Sequence, residues 1–358
     1  MNSTQELCIA PDSACAPVLI ETRDVRKFFS VRGGILTGRR GVIRAVDGVS
    51  LLIRQGETLA LVGESGCGKS TFGRLMVRLD SPTTGKILFA GEDIQAYAGA
   101  SLKNYRRQVQ LIFQDPYASL NPRRSAGDII EEPLLVHGSA SEKDRRQSVS
   151  DLMMTVGLSE EQMHRYPHEF SGGQRQRIGI ARAIALRPKL IVADEPVSAL
   201  DVSIQAQILN LLKDLQAQFG LTYLFITHDL SVVHHVSDRV AVMYLGKIVE
   251  LADNDDLFEH PLHPYTQALL SAVPVAGPRR VMDRIILTGD VPSPLNPPSG
   301  CAFHPRCPRR FDLCDRIEPL LEDQGPSRKV ACHLLTAEPS PQAATHKKPR
   351  RVDTGHME

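Results

Sequence analysis

The sequence of 358 residues contains no tryptophan, and aromatic residues make up only 5% of it. An excess of one charge is also missing, because 42 lysines and arginines face 41 aspartates and glutamates, which leaves a net charge of +1. This balance gives no electrostatic reason to expect a nucleic-acid partner. No apolar run approaches the roughly 20 residues that a membrane-spanning helix needs. If the protein works at a membrane, we expect another chain to hold it there.

The first 17 residues lack the basic start and the apolar stretch of a signal peptide. We therefore expect residues 1–17 to form a loose polar tail, and the protein to reside in the reducing cytoplasm, where thiols stay free or bind metal. The hydrophobic content of 42% is ordinary for a soluble globular protein. At roughly 100–200 residues per domain, the length predicts two or three domains.

Short apolar segments alternate with helical patterns along most of the chain. Segments that are apolar throughout are typical of parallel strands covered by helices on both faces, so we expect an α/β fold. The Gly- and Arg-rich segment 30–44 predicts a long loop or hairpin. We predict strands at 18–29, 45–53, 57–62, 108–113, 190–193, 221–227 and 240–244, and helices at 69–78 and over most of 126–215.

The composition changes after about residue 255. Proline becomes frequent there, and four of the seven cysteines follow. We interpret residues 255–335 as a separate C-terminal extension. Residues 336–358 are polar and basic, which predicts a disordered tail.

A phosphate-binding loop is the strongest motif. Residues 63–71 read GESGCGKST and fit the pattern G-x-x-x-x-G-K-[ST], between a predicted strand and a predicted helix. Glycines let backbone N–H groups turn toward phosphate oxygens, and a helix N-terminus adds partial positive charge. Lys69 is expected to reach the β- and γ-phosphates and Ser70 to offer its hydroxyl to Mg²⁺. The predicted nucleotide-binding residues of this loop are Gly63, Ser65, Gly66, Gly68, Lys69, Ser70 and Thr71.

Two acids end an apolar strand, in the sequence LIVADE at 190–195. The carboxyl ends of strands in an α/β sheet are where ligands bind. Phosphoryl transfer needs a carboxylate to hold Mg²⁺ and an acceptor to orient the attacking water. We predict that Asp194 holds Mg²⁺ and that Glu195 polarises the water.

Further motifs resemble one family. The segment FSGGQ at 170–174 is close to the LSGGQ signature of ABC ATPases, with Phe170 in place of leucine. Gln114 resembles the residue that names their Q-loop, residues 198–201 their D-loop, and His228 their H-loop. Together with the phosphate-binding loop and the acidic strand, these motifs stand in the family's order over about residues 18–250. The predicted signature and D-loop contacts to nucleotide are Ser171, Gly172, Gly173, Gln174 and Asp201.

The resemblance implies a P-loop NTPase core over residues 18–254, with an antiparallel β subdomain and a helical signature subdomain at about 116–185. It also implies that two chains pair head to tail, so that ATP lies between the phosphate-binding loop of one and the signature of the other. His228 would contact the γ-phosphate, and Gln114 would contribute to the Mg²⁺ site. Arg175 and Arg177, which follow the signature, are interpreted as a solvated helix face without ATP contacts.

An aromatic residue stacks on adenine in this family, and the sequence offers two neighbouring candidates. Phe29 is preferred from its place after residues 25–27, and Phe28 is the alternative. Stacking on a ring would bind the base with little dependence on its identity.

Three segments resemble the ATP-binding subunits of dipeptide and oligopeptide importers, and among those the second, F-type ATPase. They are FQDPYASLNPR at 113–123, HPYTQALL at 263–270 and the cysteine-bearing extension. The resemblance implies two integral membrane permease subunits, a second and different ATPase chain, an extracytoplasmic substrate-binding protein, and a peripheral position on the cytoplasmic face of the inner membrane. Nickel and glutathione importers share much of this pattern, so the solute stays open.

Four cysteines stand in the extension without a C-x-x-C pair. In a reducing compartment, four clustered thiols favour a metal over disulfides, and soft thiolates suit zinc or iron–sulfur. Members of the peptide-importer group carry a [4Fe–4S] cluster in this region, so the resemblance favours a cluster over zinc or free structural thiols. The candidate ligands are Cys301, Cys307, Cys314 and Cys332.

Two other classes of function remain as alternatives. A soluble ABC ATPase of DNA repair or translation usually has tandem cassettes or long coiled-coil insertions, and this chain has one cassette and no long heptad stretch. A regulatory binder without hydrolysis would be expected to have lost Glu195, His228 or Ser171, and all three are present.

Overall fold

A computed structural model describes residues 16–31, 41–138, 141–273 and 284–336. Most of the predicted tails 1–17 and 336–358, and the centre of the predicted 30–44 loop, lie outside the described residues. The boundaries at residues 17, 254 and 335 stay predictions.

The strands and helices follow one another in an α/β order. The strands are β1 Val18–Val31, β2 Gly41–Val49, β3 Leu52–Arg54, β4 Thr58–Val62, β5 Thr84–Phe89, β6 Glu92–Asp93, β7 Val109–Ile112, β8 Leu190–Asp194, β9 Thr222–Thr227, β10 Arg239–Tyr244, β11 Lys247–Asp253, β12 Glu322–Asp323 and β13 Lys329–Val330. The α-helices are α1 Lys69–Met76, α2 Gly99–Gln108, α3 Pro116–Ser119, α4 Ala126–Val136, α5 Glu142–Thr155, α6 Gly172–Ile184, α7 Val202–Phe219, α8 Leu230–Val236, α9 Asn254–Glu259, α10 Pro264–Ser271, α11 Asp312–Arg316 and α12 His333–Thr336.

The smaller sheet is antiparallel, with the order β2-β1-β5-β6 and β3 paired to β1. The prediction of one strand over 45–53 is wrong, because the chain leaves the β2 ladder after Val49. There, Leu51 N donates to Thr22 Oγ1 at 2.7 Å, and Thr22 N donates to Leu51 O at 2.8 Å. These bonds to a buried threonine divide the segment into β2 and β3.

The larger sheet has the order β12-β13-β11-β10-β4-β9-β8-β7. Its neighbours from β10 to β7 are parallel, and every residue of β4, β9 and β10 is buried. This burial explains why these strands read as unbroken apolar runs. Helix α1 packs on β8 and β9, where Phe72 and Leu75 are fully buried. Each such side chain contributes about 1.5–3 kcal/mol by leaving water.

The helical region predicted at 126–215 is interrupted several times. Helices α4, α5 and α6 pack against one another, and two short 3₁₀ turns, Glu160–His164 and Pro167–Glu169, separate α5 from α6. The core of this region includes Ile130, Met153 and Ile178, all shielded from solvent.

The C-terminal extension is joined to the larger sheet by backbone pairing. Strand β13 is antiparallel to β11, with Val330 opposite Glu250. Helix α10 begins at a proline and is capped by His263, whose Nδ1 accepts from Tyr265 N at 3.0 Å. Among the described residues, no helix has both the length and the apolar character required to cross a membrane.

Candidate nucleotide site

Four neighbouring parallel strands end at the same edge of the larger sheet. Along the order β4-β9-β8-β7, they are followed in turn by the phosphate-binding loop, His228, Glu195 and Gln114. The sheet therefore brings together residues that are far apart in the sequence, at the edge where α/β sheets bind ligands.

The phosphate-binding loop depends on glycine at two positions. Gly63 and Gly68 have φ values of +153° and +111°, a region that side chains with a Cβ rarely adopt. A Cβ at Gly63 would collide with the carbonyl of Met243, and one at Gly68 with the carbonyl of Ala45. Gly68 directly precedes α1, so the first amides of this helix are available to an anion.

Lys69 is held by the loop itself. Its Nζ donates to the carbonyl oxygens of Gly63 at 2.6 Å and Glu64 at 3.0 Å. The residue is only 4% exposed. A buried ammonium bound to two neutral carbonyls is ready to exchange them for a phosphate, which is the stronger partner.

Ser70 and Asp194 form the oxygen pair expected of a Mg²⁺ site. Ser70 Oγ donates to Asp194 Oδ1 at 2.9 Å. Burial raises the pKa of the Asp194 carboxyl, an effect that the Ser70 hydrogen bond opposes and the charge of Glu195 strengthens. A hard divalent cation prefers such oxygen ligands and would offset the cost of burying the carboxylate. These residues therefore fit the metal.

Glu195 joins the two remaining strand ends. Its Oε2 accepts from Gln114 Nε2 at 2.8 Å, and its Oε1 lies 2.9 Å from His228 Nδ1. Its backbone has a φ of +47°, which is strained for a residue with a Cβ and is typical of functional sites. The backbone N–H is anchored by Ile226 O at 2.8 Å.

Lys69, Ser70, Gln114, Glu195 and His228 line a cleft of about 820 Å³, within the size range of small-molecule sites. Phe29 lines the cleft and is 39% exposed. Phe28 is half-buried beside Arg44, with 5.9 Å between the guanidinium carbon and the ring centre. The geometry therefore favours Phe29 as the residue that faces the base.

Sequence reasoning missed the part of the cleft that the extension supplies. Leu269 of α10 and Pro294 line it together with Ile43. Arg44 N donates to Pro294 O at 3.3 Å, which joins the extension to the antiparallel sheet. The proline-rich composition indicated an extension but carried no signal for where it packs.

The signature stands apart from this cleft. Ser171 caps α6, with Gln174 N donating to its Oγ at 3.3 Å and Ser171 N donating to Gln174 Oε1 at 3.0 Å. Asp201 stands at the N-terminus of α7. None of the described residues that line the cleft comes from 171–174 or 198–201.

Arg175 does not lie on a solvated helix face, and that interpretation is wrong. It is 5% exposed, its Nε donates to Pro167 O, and its guanidinium carbon lies 3.8 Å from the ring centre of Tyr117. Arg177 is half-buried and donates to Val156 O. Arg175 thus holds the turn before the signature helix, and Arg177 holds the C-terminal end of α5, roles that a sequence pattern does not reveal.

The cysteines of the extension are free thiols, two of them buried. Within the described ranges, no group of three or more His, Cys, Asp or Glu side chains is placed to hold a metal ion. The structure therefore does not bear out the predicted cluster or zinc site. Cys301 N does donate to Cys314 O at 2.8 Å, which places two of the four cysteines side by side.

Two family profiles match the chain. The ABC transporter profile covers residues 46–198, and the oligopeptide/dipeptide transporter C-terminal region covers residues 249–314. The oligopeptide transport ATP-binding protein AppF of Bacillus subtilis (strain 168) is 56% identical over 321 residues, which are 89% of this chain and 98% of that protein.

The chain belongs to the ABC transporter ATPases.

A second relative of this ABC ATPase, the dipeptide transport ATP-binding protein DppF of Escherichia coli (strain K12), is 51% identical over 324 residues, 90% of this chain and 96% of that protein. Among solved structures, the ATP-binding cassette MJ0796, a dimer in a post-hydrolysis state with ADP and Pi, is 30% identical with a TM-score of 0.59. The aligned region covers 66% of this chain and 99% of the MJ0796 chain. The predicted α/β P-loop fold is thus confirmed, and the alternative of a soluble repair or translation ATPase finds no support.

Proposed function

We propose that this ABC ATPase powers the import of dipeptides or oligopeptides across the cytoplasmic membrane. The observation that carries the proposal is the joining of the ATP cleft to the peptide-transporter extension, since Leu269 and Pro294 of the extension line the cleft itself. Relatives named for oligopeptide and dipeptide transport align over nearly all of this chain.

The side chains divide the work of hydrolysis. Lys69 leaves the carbonyls of Gly63 and Glu64 and binds the phosphates, and the amides at the start of α1 hold the same oxygens. Glu195 accepts a hydrogen bond from the attacking water, and its contacts with Gln114 and His228 hold its carboxylate in place. His228, with its side chain 53% exposed, is free to turn toward the γ-phosphate.

A bound Mg²⁺ would supply positive charge that offsets the negative charge developing on the phosphates during transfer. Ser70 and Asp194 would hold it, Asp194 through water, with Gln114 at the edge of the same site. The hydrogen bond between Ser70 and Asp194 occupies these donors and acceptors in its absence. Gln114 is bonded to Glu195, so the residue that senses the metal also contacts the residue that orients water.

The signature supplies what this cleft lacks. Ser171 and the amides at the start of α6 form an anion-binding helix end, and a second ATPase chain would present its own signature to this cleft. Closure of the two chains on ATP, and their opening after hydrolysis, would be passed to two permease subunits by the segment after Gln114. We place the protein on the cytoplasmic face of the inner membrane, as a peripheral subunit that receives solute indirectly from a substrate-binding protein. We assign it no nucleic-acid partner.

The proposal is tested by purification and transport. The tagged chain, expressed with its neighbouring genes, is expected to copurify with two integral membrane chains and a second ATPase, and the assembly in vesicles is expected to accumulate labelled dipeptide only when ATP is supplied. Accumulation of nickel or glutathione but not peptide would overturn the solute assignment. Copurification with nucleic acid in place of membrane chains would overturn the transporter assignment.

We further propose that Cys301, Cys307, Cys314 and Cys332 hold a structural [4Fe–4S] cluster. The four thiols lie in one part of the extension, where burial above all and, to a lesser extent, the three neighbouring cysteines raise the pKa of Cys301; a bound cluster would stabilise the thiolate form that burial disfavours. Four cysteine thiolates are the usual ligand set of such a cluster, and these four residues would hold it. Its role would be to tie the loops of the extension together, outside the ATP chemistry.

Anaerobic purification tests the cluster. The protein is expected to be brown, to contain iron and sulfide, and to lose its colour in the Cys307→Ser variant. A colourless protein with stoichiometric zinc would replace the cluster by a zinc site, and a metal-free protein would contradict both.

A further inference from the structure

The phosphate-binding loop is tied to the cysteine-bearing extension through Glu64, the second residue of the motif. Arg306 Nη1 donates to Glu64 Oε2 at 2.7 Å, and Arg306 Nη2 donates to Glu64 Oε1 at 3.0 Å. The side chain of Arg306 is 8% exposed and that of Glu64 is 27% exposed. A two-pronged guanidinium–carboxylate pair is strong and fixes the geometry of both groups.

The backbone of Glu64 is held as well. Its N–H donates to Tyr265 Oη at 2.9 Å, and its carbonyl oxygen accepts from Lys69 Nζ at 3.0 Å. Tyr265 is fully buried, and its ring centre lies 4.7 Å from that of Tyr244 and 5.3 Å from that of Phe303. The extension thus supplies the partners of both the side chain and the amide of one residue in the loop.

The charge of Glu64 makes this contact matter for ATP. Glu64 lines the cleft next to the amides that bind phosphate, and a free carboxylate there would repel the phosphates. Arg306 neutralises that carboxylate and holds it against the extension. Arg306 ends a short 3₁₀ turn, His304–Arg306, and directly precedes Cys307. This turn therefore connects the cysteine-bearing extension to the phosphate-binding loop.

We propose that Arg306 is a positioning residue of the ATP site, which neutralises Glu64 and fixes the phosphate-binding loop from the extension. The cysteine-bearing extension is then a working part of nucleotide binding in this chain. This inference rests on the ATP-binding part of the proposed function and is independent of the imported solute.

The test is a double-variant cycle on the full-length chain, with the Kd of Mg–ATP as the readout. Arg306→Ala is expected to raise the Kd about tenfold, because it leaves a negative charge facing the phosphates. Glu64→Gln is expected to lower the Kd about threefold, because it removes that charge. The double variant Glu64→Gln with Arg306→Ala is expected to bind ATP within about threefold of the native chain, since there is no charge left to neutralise.

The recovery in the double variant separates this role from a merely structural one. If Arg306 served only to dock the extension, removing Glu64 as well would leave binding as weak as in Arg306→Ala, and that result would overturn the inference. So would an Arg306→Ala chain that binds ATP within twofold of the native chain. In the assembled transporter, the KM for ATP is expected to rise in Arg306→Ala, with kcat changed by less than about threefold.

Two further variants guard the interpretation. Arg310→Ala removes a half-exposed ion pair with Asp315, also in the cysteine-bearing extension. It is expected to leave the Kd for Mg–ATP unchanged. Arg306→Lys keeps the charge but loses the second hydrogen bond, so a Kd about threefold above the native value supports the inference even if Arg306→Ala does not fold. A folded Arg306→Lys chain whose Kd rises tenfold or more, although the neutralising charge is kept, would contradict it. A native chain without affinity for ATP would overturn the proposed function itself, which distinguishes the two failures.

Discussion

The cleft at the phosphate-binding loop and the N-terminus of α6 differ in how far a single chain builds them. In the cleft, Ser70 and Glu195 already have side-chain partners from other elements at 2.8–2.9 Å, and Lys69 is held by its own loop at 2.6 Å. At α6, the hydroxyl of Ser171 accepts a hydrogen bond from within its own turn, from Gln174 N. The cleft is therefore pre-organised within one chain, and under the proposed pairing the N-terminus of α6 serves as the complementary half-site for a different chain.

The largest effect on ATP turnover is expected from a change to Glu195 in the cleft. Glu195→Gln keeps the hydrogen-bonding shape but loses the charge that orients water, so turnover should fall by about 100- to 1,000-fold. ATP binding should persist and trap the closed pair of chains. Steady-state ATPase rates and the mass of the Mg–ATP-bound species check both parts, and normal turnover would remove Glu195 from its role.

Breaking the α6 half-site should give the next largest effect. Ser171→Ala removes a hydroxyl from the partner chain's nucleotide, so turnover in the assembled transporter should fall about 10- to 100-fold while ATP affinity of the isolated chain stays the same. The same change removes the serine cap of α6, which costs about 1 kcal/mol of stability.

The matched control is Ser125→Ala. Ser125 caps α4 with the same reciprocal geometry, bonded to Asp128. It should lower stability as much as Ser171→Ala but leave turnover intact. Equal loss of turnover in the two variants would mean that Ser171 acts only as a helix cap.

A pH titration tests the contribution of the extension, which lines the cleft through Leu269 and Pro294. Burial lowers the pKa of His263 from its ordinary value of 6.5 to about 3. Below pH 6.5, this histidine therefore binds a proton in the unfolded chain but not in the folded chain. Stability should therefore fall as the pH drops from 7 to 5, by about 2 kcal/mol from this residue.

His263→Asn keeps an acceptor for Tyr265 N but does not titrate. Chemical denaturation at pH 7 and pH 5 is expected to show a smaller loss for this variant than for the native chain. An identical loss in both would show that another group carries the acid sensitivity.

The smallest effect concerns the base. Phe29→Ala should weaken ATP binding about fivefold by removing a stacking ring, a change of about 1 kcal/mol. Phe28→Ala, at a ring that does not line the cleft, should leave the affinity within twofold. The reverse ranking in a nucleotide titration would make Phe28 the stacking residue.

What the sequence predicted correctly is mostly local. The glycines and Lys69 lie in one continuous segment, and the apolar strands are also continuous. Each can therefore be recognised from neighbouring residues alone. The P-loop fold followed from these patterns together with the family resemblance. The break between β2 and β3 was missed, because it depends on Thr22, some 29 residues away from its partner Leu51.

The side-chain partners of the site could not be predicted for the same reason. Arg306 and Glu64 are separated by 242 positions, and neither residue type in its own segment indicates the other. Arg175 looked solvated because it belongs to a basic stretch, yet its partners are backbone carbonyls and the ring of Tyr117. Such contacts arise from packing between elements, which composition and periodicity do not encode.

The claim that two half-sites meet on one nucleotide is tested most directly by vanadate photocleavage of the assembled transporter. Vanadate trapped with Mg–ADP takes the place of the γ-phosphate, and ultraviolet light then cuts the backbone at residues that touch it. We predict two cuts in this chain, one in the phosphate-binding loop at 63–71 and one at Ser171. A cut in the loop alone, with the signature intact on both ATPase chains, would contradict the account of paired half-sites.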